Sequence, residues 1–173
     1  MTRCAVGRVD MTDATFDPVA RFEKALVRLI QSFNYLDTNV GLCISHLSHP
    51  TDPTRAYSAL AKMTAEKRIE RLKKLLLDAS DIEISEKVRS KLLAWYENAA
   101  EVRSIRNRYV HGNWEFLPLR HRVPVGVSAP PWMKDKLGPL AHETMSVEQL
   151  ESVAEKVEAV FKEFMQLRGN LGV

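Results

Sequence analysis

The residues of this 173-residue chain that could do chemistry stand together near the end of one helix-forming segment. Arg106 is followed directly by Asn107 and, five positions after the arginine, by His111. An arginine fork binds phosphate oxygens and stabilises the negative charge that builds on them. A histidine can remove a proton from a ribose 2′-hydroxyl or donate one to a leaving oxygen. These residue types suit metal-independent cleavage of RNA, which supplies its own nucleophile.

Arg106 interrupts the apolar stripe of the helix that carries it, at a position where the pattern calls for an apolar side chain. The apolar residues on this face are Val88, Leu92, Trp95, Ala99, Val102 and Tyr109. His111 is displaced from Arg106 by about 140° around the helix, but it lies in the last turn before Gly112, where it could move toward the arginine. A structural alternative is that these basic residues only cap a helix end.

The arrangement Arg106-Asn107-x-x-x-His111, followed by a glycine, resembles the signature of HEPN proteins (higher eukaryotes and prokaryotes nucleotide-binding). The resemblance covers roughly residues 18–112 and the final helix, and it implies an all-α fold. It also implies a metal-independent ribonuclease that dimerises so that two motifs face one cleft. Arg106 and His111 would then be catalytic, and Asn107 would orient them.

The resemblance favours an endoribonuclease of the toxin or defence type that acts as a homodimer, with RNA as substrate and an antitoxin protein as a candidate partner. The alternative is a non-catalytic module that binds RNA, a nucleotide or a partner protein, because fold resemblance does not establish chemistry. A bundle that only binds other proteins is a third interpretation.

Four further residues near the motif are candidates for RNA contacts. Arg103 and Arg108 could bind phosphates, although arginines that point to water are the plainer interpretation. Trp114 and Tyr109 could stack on bases, but Tyr109 also continues the apolar stripe, and a tyrosine in that place is more often core.

The charge of the chain permits a polyanionic partner without requiring one. Formal net charge is +3 and the isoelectric point is about 8.9. Between Glu101 and Lys136 there are seven Lys and Arg residues against three Asp and Glu residues, so the positive excess gathers around the motif. Strongly basic nucleic-acid binders show a larger bias.

Helix signals divide the chain into an antiparallel bundle of four to five helices. Asp17-Pro18 is a helix start, and apolar residues at alternating spacings of three and four predict one helix to about Leu47. Prolines at positions 50 and 53 predict a turn. A second helical region then follows over 57–76, with Thr64 as a candidate cap within it.

A third helix is predicted from Ser85 to His111, and a last one from the capping box Ser146-x-x-Gln149 to about Arg168. Between the last two helices, the periodicity fails over 113–144. This stretch is expected to be a long loop or a short hairpin formed by 114–117 and 123–127. Residues 1–16 are expected to form a flexible N-terminus on a single domain that spans 1–173.

Composition excludes several other classes of protein. No apolar run reaches the length of a membrane span, and the N-terminus lacks a secretory signal, so a cytoplasmic protein without a membrane partner is expected. Two cysteines do not make a disulfide framework. His46 and His49 have no nearby third ligand, so neither a metal nor another cofactor is predicted.

Overall fold

A computed structural model describes residues 17–78, 85–116, 125–128 and 142–171. The expected flexible N-terminus, residues 1–16, lies outside the described residues, as does much of the stretch 113–144. Within the described residues, no helix combines the length and the apolar character that crossing a bilayer requires.

Helix α1 spans Pro18–Ser48 and confirms the long helix expected from the apolar spacing. The side chain of Asp17 accepts a hydrogen bond from the amide of Val19 at 2.9 Å, which satisfies one of the backbone donors left open at a helix start. At the other end, the backbone amide of His49 donates to the carbonyl of Ser45. The helix is therefore defined by local signals at both ends.

The chain returns from the end of α1 through a 3₁₀ turn, Pro53–Ala56, and the short helix α2, Tyr57–Ala61. Helix α3 then spans Ala65–Asp78. As expected, Thr64 caps α3, since its hydroxyl accepts a hydrogen bond from the amide of Lys67 at 3.3 Å. The predicted second helical region is thus two helices separated by a cap.

Helix α4 spans Glu86–His111 and carries the Arg106 motif. The Ser85 hydroxyl accepts a hydrogen bond from the Val88 amide, which confirms the predicted start. Gly112 ends the helix where expected, but its φ of −76° and ψ of 149° are extended, unlike the left-handed conformation typical of a glycine that ends a helix. The physical reason is that the chain passes directly into a strand at Asn113.

A three-stranded antiparallel sheet separates α4 from the last helix. Its strands are β1 (Asn113–Phe116), β2 (Val125–Ser128) and β3 (His142–Met145), in the order β1-β2-β3. The pairing of β1 with β2 is the expected hairpin, shifted by one or two residues. The third strand, which pairs with β2, was not predicted from the sequence. The strand has four residues, most of them polar, and is too short to show the alternating pattern that predicts a strand.

Helix α5 spans Val147–Asn170 and begins with the predicted capping box. The Ser146 hydroxyl accepts from the Gln149 amide at 3.2 Å, and the Gln149 side chain accepts from the Ser146 amide at 2.7 Å. This reciprocal pair sets the point at which the chain leaves β3 and enters the bundle.

Side-chain contacts between the helices show which of them run parallel and which antiparallel. Arg21 pairs with Glu151, and Arg28 pairs with Glu158, so α1 and α5 run parallel. Helix α4 is antiparallel to α5: Trp95 packs on Phe164, and Glu101, further along α4, pairs with Lys156, earlier in α5. Helix α4 is also antiparallel to α3, because Arg103 pairs with Glu66 and Tyr96 lies under Lys73.

The apolar stripes of α1, α3, α4 and α5 meet in one continuous core. Trp95 is 2% exposed, stacks on Phe164 with ring centroids 4.7 Å apart, and donates its indole N–H to the Val160 carbonyl at 3.1 Å. Cys43 is a buried small residue, as expected, and burial raises the pKa of its thiol to about 11. The predicted all-α bundle is confirmed, with the small sheet as an addition at the α4–α5 connection.

Candidate functional site

The candidate site is built on the last turns of α4, against the first half of α1. Phe33 of α1 lies beside Arg106, and Phe22 lies beside Trp114, just beyond the end of α4. These two contacts show that α4 runs antiparallel to α1 and places its C-terminal end near the start of α1. The motif therefore stands close to the end of the bundle that the sheet occupies.

Arg106 is half-buried, in agreement with its place in an apolar stripe. Its guanidinium carbon lies 5.7 Å from the ring centroid of Phe33, within the range of a cation–π contact. Its Nη1 donates to the side-chain oxygen of Asn107 at 3.1 Å. The structure thus brings together two of the three predicted motif residues and holds the arginine on an aromatic ring that the sequence did not assign to the site.

No carboxylate lies within ion-pair distance of Arg106 among the described residues. Its buried Nε also has no hydrogen-bond partner there. A buried donor without a partner costs about 1–3 kcal/mol, so the bundle holds this cation at some expense of stability. Among the described residues, its hydrogen-bond partner Asn107 is uncharged, and Arg106 therefore keeps its positive charge available to an anion.

His111 is exposed on the last turn of α4. Among the described residues, no hydrogen bond joins His111 to Arg106 or Asn107. Five residues of α-helix separate Arg106 from His111 by roughly 7.5 Å along the axis. A single chain therefore presents the guanidinium and the imidazole as neighbours along one helix that do not touch each other.

Arg103 is held by a carboxylate of another helix. Its Nη2 lies 3.0 Å from Glu66 in the first turn of α3, and the arginine side chain is 24% exposed. This pair ties α4 to the start of α3, and the sequence offered no signal for it, because Glu66 is one of several charged residues on α3. Arg108 is half-buried on the last turn of α4.

The two aromatic candidates for base stacking pack against each other and against the bundle. Tyr109 is 3% exposed and occupies the core, which is the alternative that its place in the stripe offered. Trp114 is half-buried, its ring centroid lies 5.4 Å from that of Tyr109, and its indole N–H donates to the Tyr109 carbonyl at 2.9 Å. Trp114 also meets Phe22 edge-to-face at 5.0 Å. These contacts anchor the start of β1 to the end of α4.

The described residues contain no group of three or more histidine, cysteine or acidic side chains arranged to hold a metal ion. Comparison of the chain with protein-family models, with curated proteins and with solved structures finds no match.

Proposed function

We propose that this protein is a metal-independent endoribonuclease of the HEPN type that acts as a homodimer. The observation that carries the proposal is the state of Arg106: a half-buried guanidinium on the Phe33 ring, without a carboxylate partner in the described part of the chain. Such a cation suits an RNA phosphodiester, which carries one negative charge and gains a second as the 2′-oxygen attacks, in a partly dehydrated place where electrostatic stabilisation is strongest. The exposed His111 on the same helix end supplies the proton-transfer group.

In the proposed reaction, His111 removes the proton from a ribose 2′-hydroxyl, and the 2′-oxygen attacks the adjacent phosphorus. The bond from phosphorus to the 5′-oxygen then breaks, leaving a 2′,3′-cyclic phosphate and a 5′-hydroxyl. Arg106 stabilises the charge on the equatorial phosphate oxygens, and Asn107 orients the guanidinium. The proton needed by the leaving 5′-oxygen comes from a second general acid.

A homodimer meets the geometric demand that a single helix does not. Arg106 and His111 of one chain differ by about 140° in direction, so they do not converge from one helix alone. Two motifs related by a twofold axis would place the arginine of one copy opposite the histidine of the other and supply both a base and an acid. Toxin or defence activity in the cytoplasm, with an antitoxin that covers this site, is the biological setting that this chemistry suits.

The decisive experiment is cleavage of end-labelled RNA by the purified chain in EDTA. Wild type is expected to cut and to leave 2′,3′-cyclic phosphate ends, while His111→Ala and Arg106→Ala are not. His49→Ala is the matched histidine control, since His49 is exposed just beyond the end of α1. Absence of cleavage by wild type, or equal cleavage by wild type and His111→Ala, would exclude the nuclease.

A non-catalytic module that binds RNA, a nucleotide or a partner protein is the second candidate, and one observation favours it. Among the described residues, no hydrogen bond joins His111 to Arg106 or Asn107, so the imidazole is not positioned with the guanidinium within one chain. An anion site centred on Arg106 then remains. Binding of RNA or a nucleotide that survives His111→Ala but fails in Arg106→Ala, with no cleavage product, would establish this function instead.

A further inference from the structure

Arg103 lies one helical turn before Arg106 on α4. Residues three positions apart are neighbours on one face of a helix, with about 5–6 Å between their Cβ atoms. The two guanidinium groups therefore start from adjacent places, so that one RNA strand can reach both. Their partners differ: Arg106 donates to the neutral Asn107, whereas Arg103 meets the carboxylate of Glu66 in the first turn of α3.

The ion pair between Arg103 and Glu66 lies at the surface of the bundle. Nη2 of Arg103 is 3.0 Å from Oε1 of Glu66, and the two side chains are 24% and 51% exposed. Water and salt reach this carboxylate and screen the attraction, so a pair of this kind contributes little to stability. An external anion can therefore replace the carboxylate at low cost.

A second arginine–carboxylate pair of α3 is held more firmly. Arg68 donates to both oxygens of Asp37 on α1, at 2.8 and 2.6 Å, and the two side chains are 20% and 21% exposed. Two parallel hydrogen bonds fix the orientation of a guanidinium and strengthen the pair. Among the described residues, no such two-pronged pair joins Arg103 to Glu66. Arg103 is therefore released from its carboxylate more easily than Arg68.

We propose that Glu66 occupies Arg103 in place of an RNA phosphate and that bound RNA displaces it. The phosphodiester next to the one at Arg106 takes the place of the carboxylate and accepts a charge-assisted hydrogen bond from Arg103. Because the ion pair must open first, Glu66 lowers the affinity for RNA. A ligand with one phosphate gains nothing from this exchange, so the device concerns RNA strands alone. The inference rests on the proposed function, since it takes RNA as the ligand of Arg106.

The test is a double-mutant cycle on Glu66 and Arg103 in the full chain. The measured quantity is the affinity for a fully 2′-O-methylated oligonucleotide, which is not cleaved because it has no free 2′-hydroxyl. Glu66→Gln is expected to tighten binding about two- to fivefold, the amount by which a partly exposed ion pair competes. In the Arg103→Gln background the same substitution is expected to change the affinity little. Arg103→Gln should also reduce the slope of log affinity against log salt concentration by about 0.7, the value for one phosphate of a single strand.

Glu70→Gln is the matched control, since Glu70 is an exposed glutamate one turn further along α3. It removes the same charge, so a gain that comes only from weaker general repulsion of RNA appears in both variants. Glu66→Gln is expected to leave the affinity for a nucleoside monophosphate unchanged, because that ligand has no second phosphate. Melting temperatures close to that of wild type are expected for both variants, since both glutamates are exposed.

Three results would overturn the proposal. The first is a gain in affinity from Glu66→Gln that is absent or no larger than that from Glu70→Gln. The second is a gain from Glu66→Gln that persists in the Arg103→Gln background. The third is no binding of the oligonucleotide by wild type at about 50 mM salt, where phosphate contacts are strong. Failure to cleave RNA, with the coupling between Glu66 and Arg103 intact, would exclude the nuclease and support the exchange at Arg103.

Discussion

The arginines at the two faces of α1 differ in whether a carboxylate pairs with them. On the face toward α5, Arg21 and Arg28 each form a two-pronged hydrogen-bonded pair with a glutamate. On the face toward α4, the guanidinium of Arg106 lies on Phe33 and meets only the neutral Asn107 among the described residues. The paired arginines hold α1 and α5 in register. Arg106 forms no ion pair between helices among the described residues, so it makes no comparable contribution to the packing.

The pairing also has consequences for protonation. The hydrogen bonds from Arg21 and Arg28 lower the pKa of Glu151 and of Glu158 respectively. These carboxylates therefore remain ionised and occupied over a wide pH range, so neither arginine is available to an external anion. By contrast, Arg106 meets no carboxylate among the described residues.

The largest effect is expected from a substitution that removes the guanidinium of Arg106. Arg106→Ala should reduce RNA cleavage by about 10²–10³-fold, the range for removing one preorganised donor from a developing negative charge. Thermal unfolding should change little, because the substitution removes a buried donor without a partner. Single-turnover cleavage and calorimetry measure the two effects.

Arg55→Ala is the control for that substitution, since Arg55 is a 73% exposed arginine on the connection after α1. Cleavage should equal that of wild type. A large fall in the melting temperature of Arg106→Ala, with cleavage unaffected, would instead make Arg106 a structural residue like Arg28.

A subtler change converts Arg106 into a paired arginine. Asn107→Asp is nearly isosteric, and its carboxylate would stand where the amide oxygen now accepts from Arg106 at 3.1 Å. Cleavage and phosphate affinity should fall about tenfold or more, while stability rises by up to about 1 kcal/mol from a charge-assisted hydrogen bond. Asn107→Ala, which removes the contact without adding charge, separates neutralisation from loss of orientation.

On the other face, a double-mutant cycle on Arg28 and Glu158 should give a coupling of about 0.5 kcal/mol, as is usual for partly exposed ion pairs. Chemical unfolding of Arg28→Ala, Glu158→Ala and the double variant measures it. None of the three should alter RNA cleavage. Loss of cleavage in any of them would show that the ion pair between α1 and α5 also affects the Arg106 site, which would contradict the separation of the two faces.

The smallest expected effect is a pH dependence of stability that comes from the ion pair between Arg28 and Glu158. Because the folded pKa of Glu158 lies below its ordinary value of 4.5, its contribution to stability is complete above that value and is lost as the pH falls through the folded pKa. The difference in melting temperature between wild type and Glu158→Gln should therefore shrink from about pH 6 to about pH 3. The exposed Glu97→Gln serves as the control, and a constant difference would contradict the assigned pair.

Much of the fold is predictable because helix ends are defined by nearby residues. The Asp17, Ser85 and Ser146 caps act within two or three positions of themselves, and each begins a helix where the sequence indicates. The strand β3 escapes prediction because its pairing with β2 is decided across the chain, in a segment too short to show a period. The bounds of helices are thus local properties, and the pairing of short strands is not.

The candidate site also has features that the sequence predicts and features that depend on contacts between helices. An arginine inside an apolar stripe is visible from the sequence, and the half-buried state of Arg106 agrees with it. The Phe33 ring beneath that arginine and the Glu66 partner of Arg103 come from other helices, at separations that no local pattern reports. The sequence allows Tyr109 to be either a core residue or a base-stacking residue, and its 3% exposure against Trp114 makes it core.

The amino-acid sequence by itself determined which segments are helical, where they begin, and that one of them carries an arginine on its apolar face. Periodicity and capping act over one or two turns, so no other part of the chain is needed to read them. Tertiary structure decided which arginines are neutralised. Ion pairs form between side chains that the packing of α1 against α5 and of α4 against α3 brings together, and among the described residues that packing places no carboxylate beside Arg106.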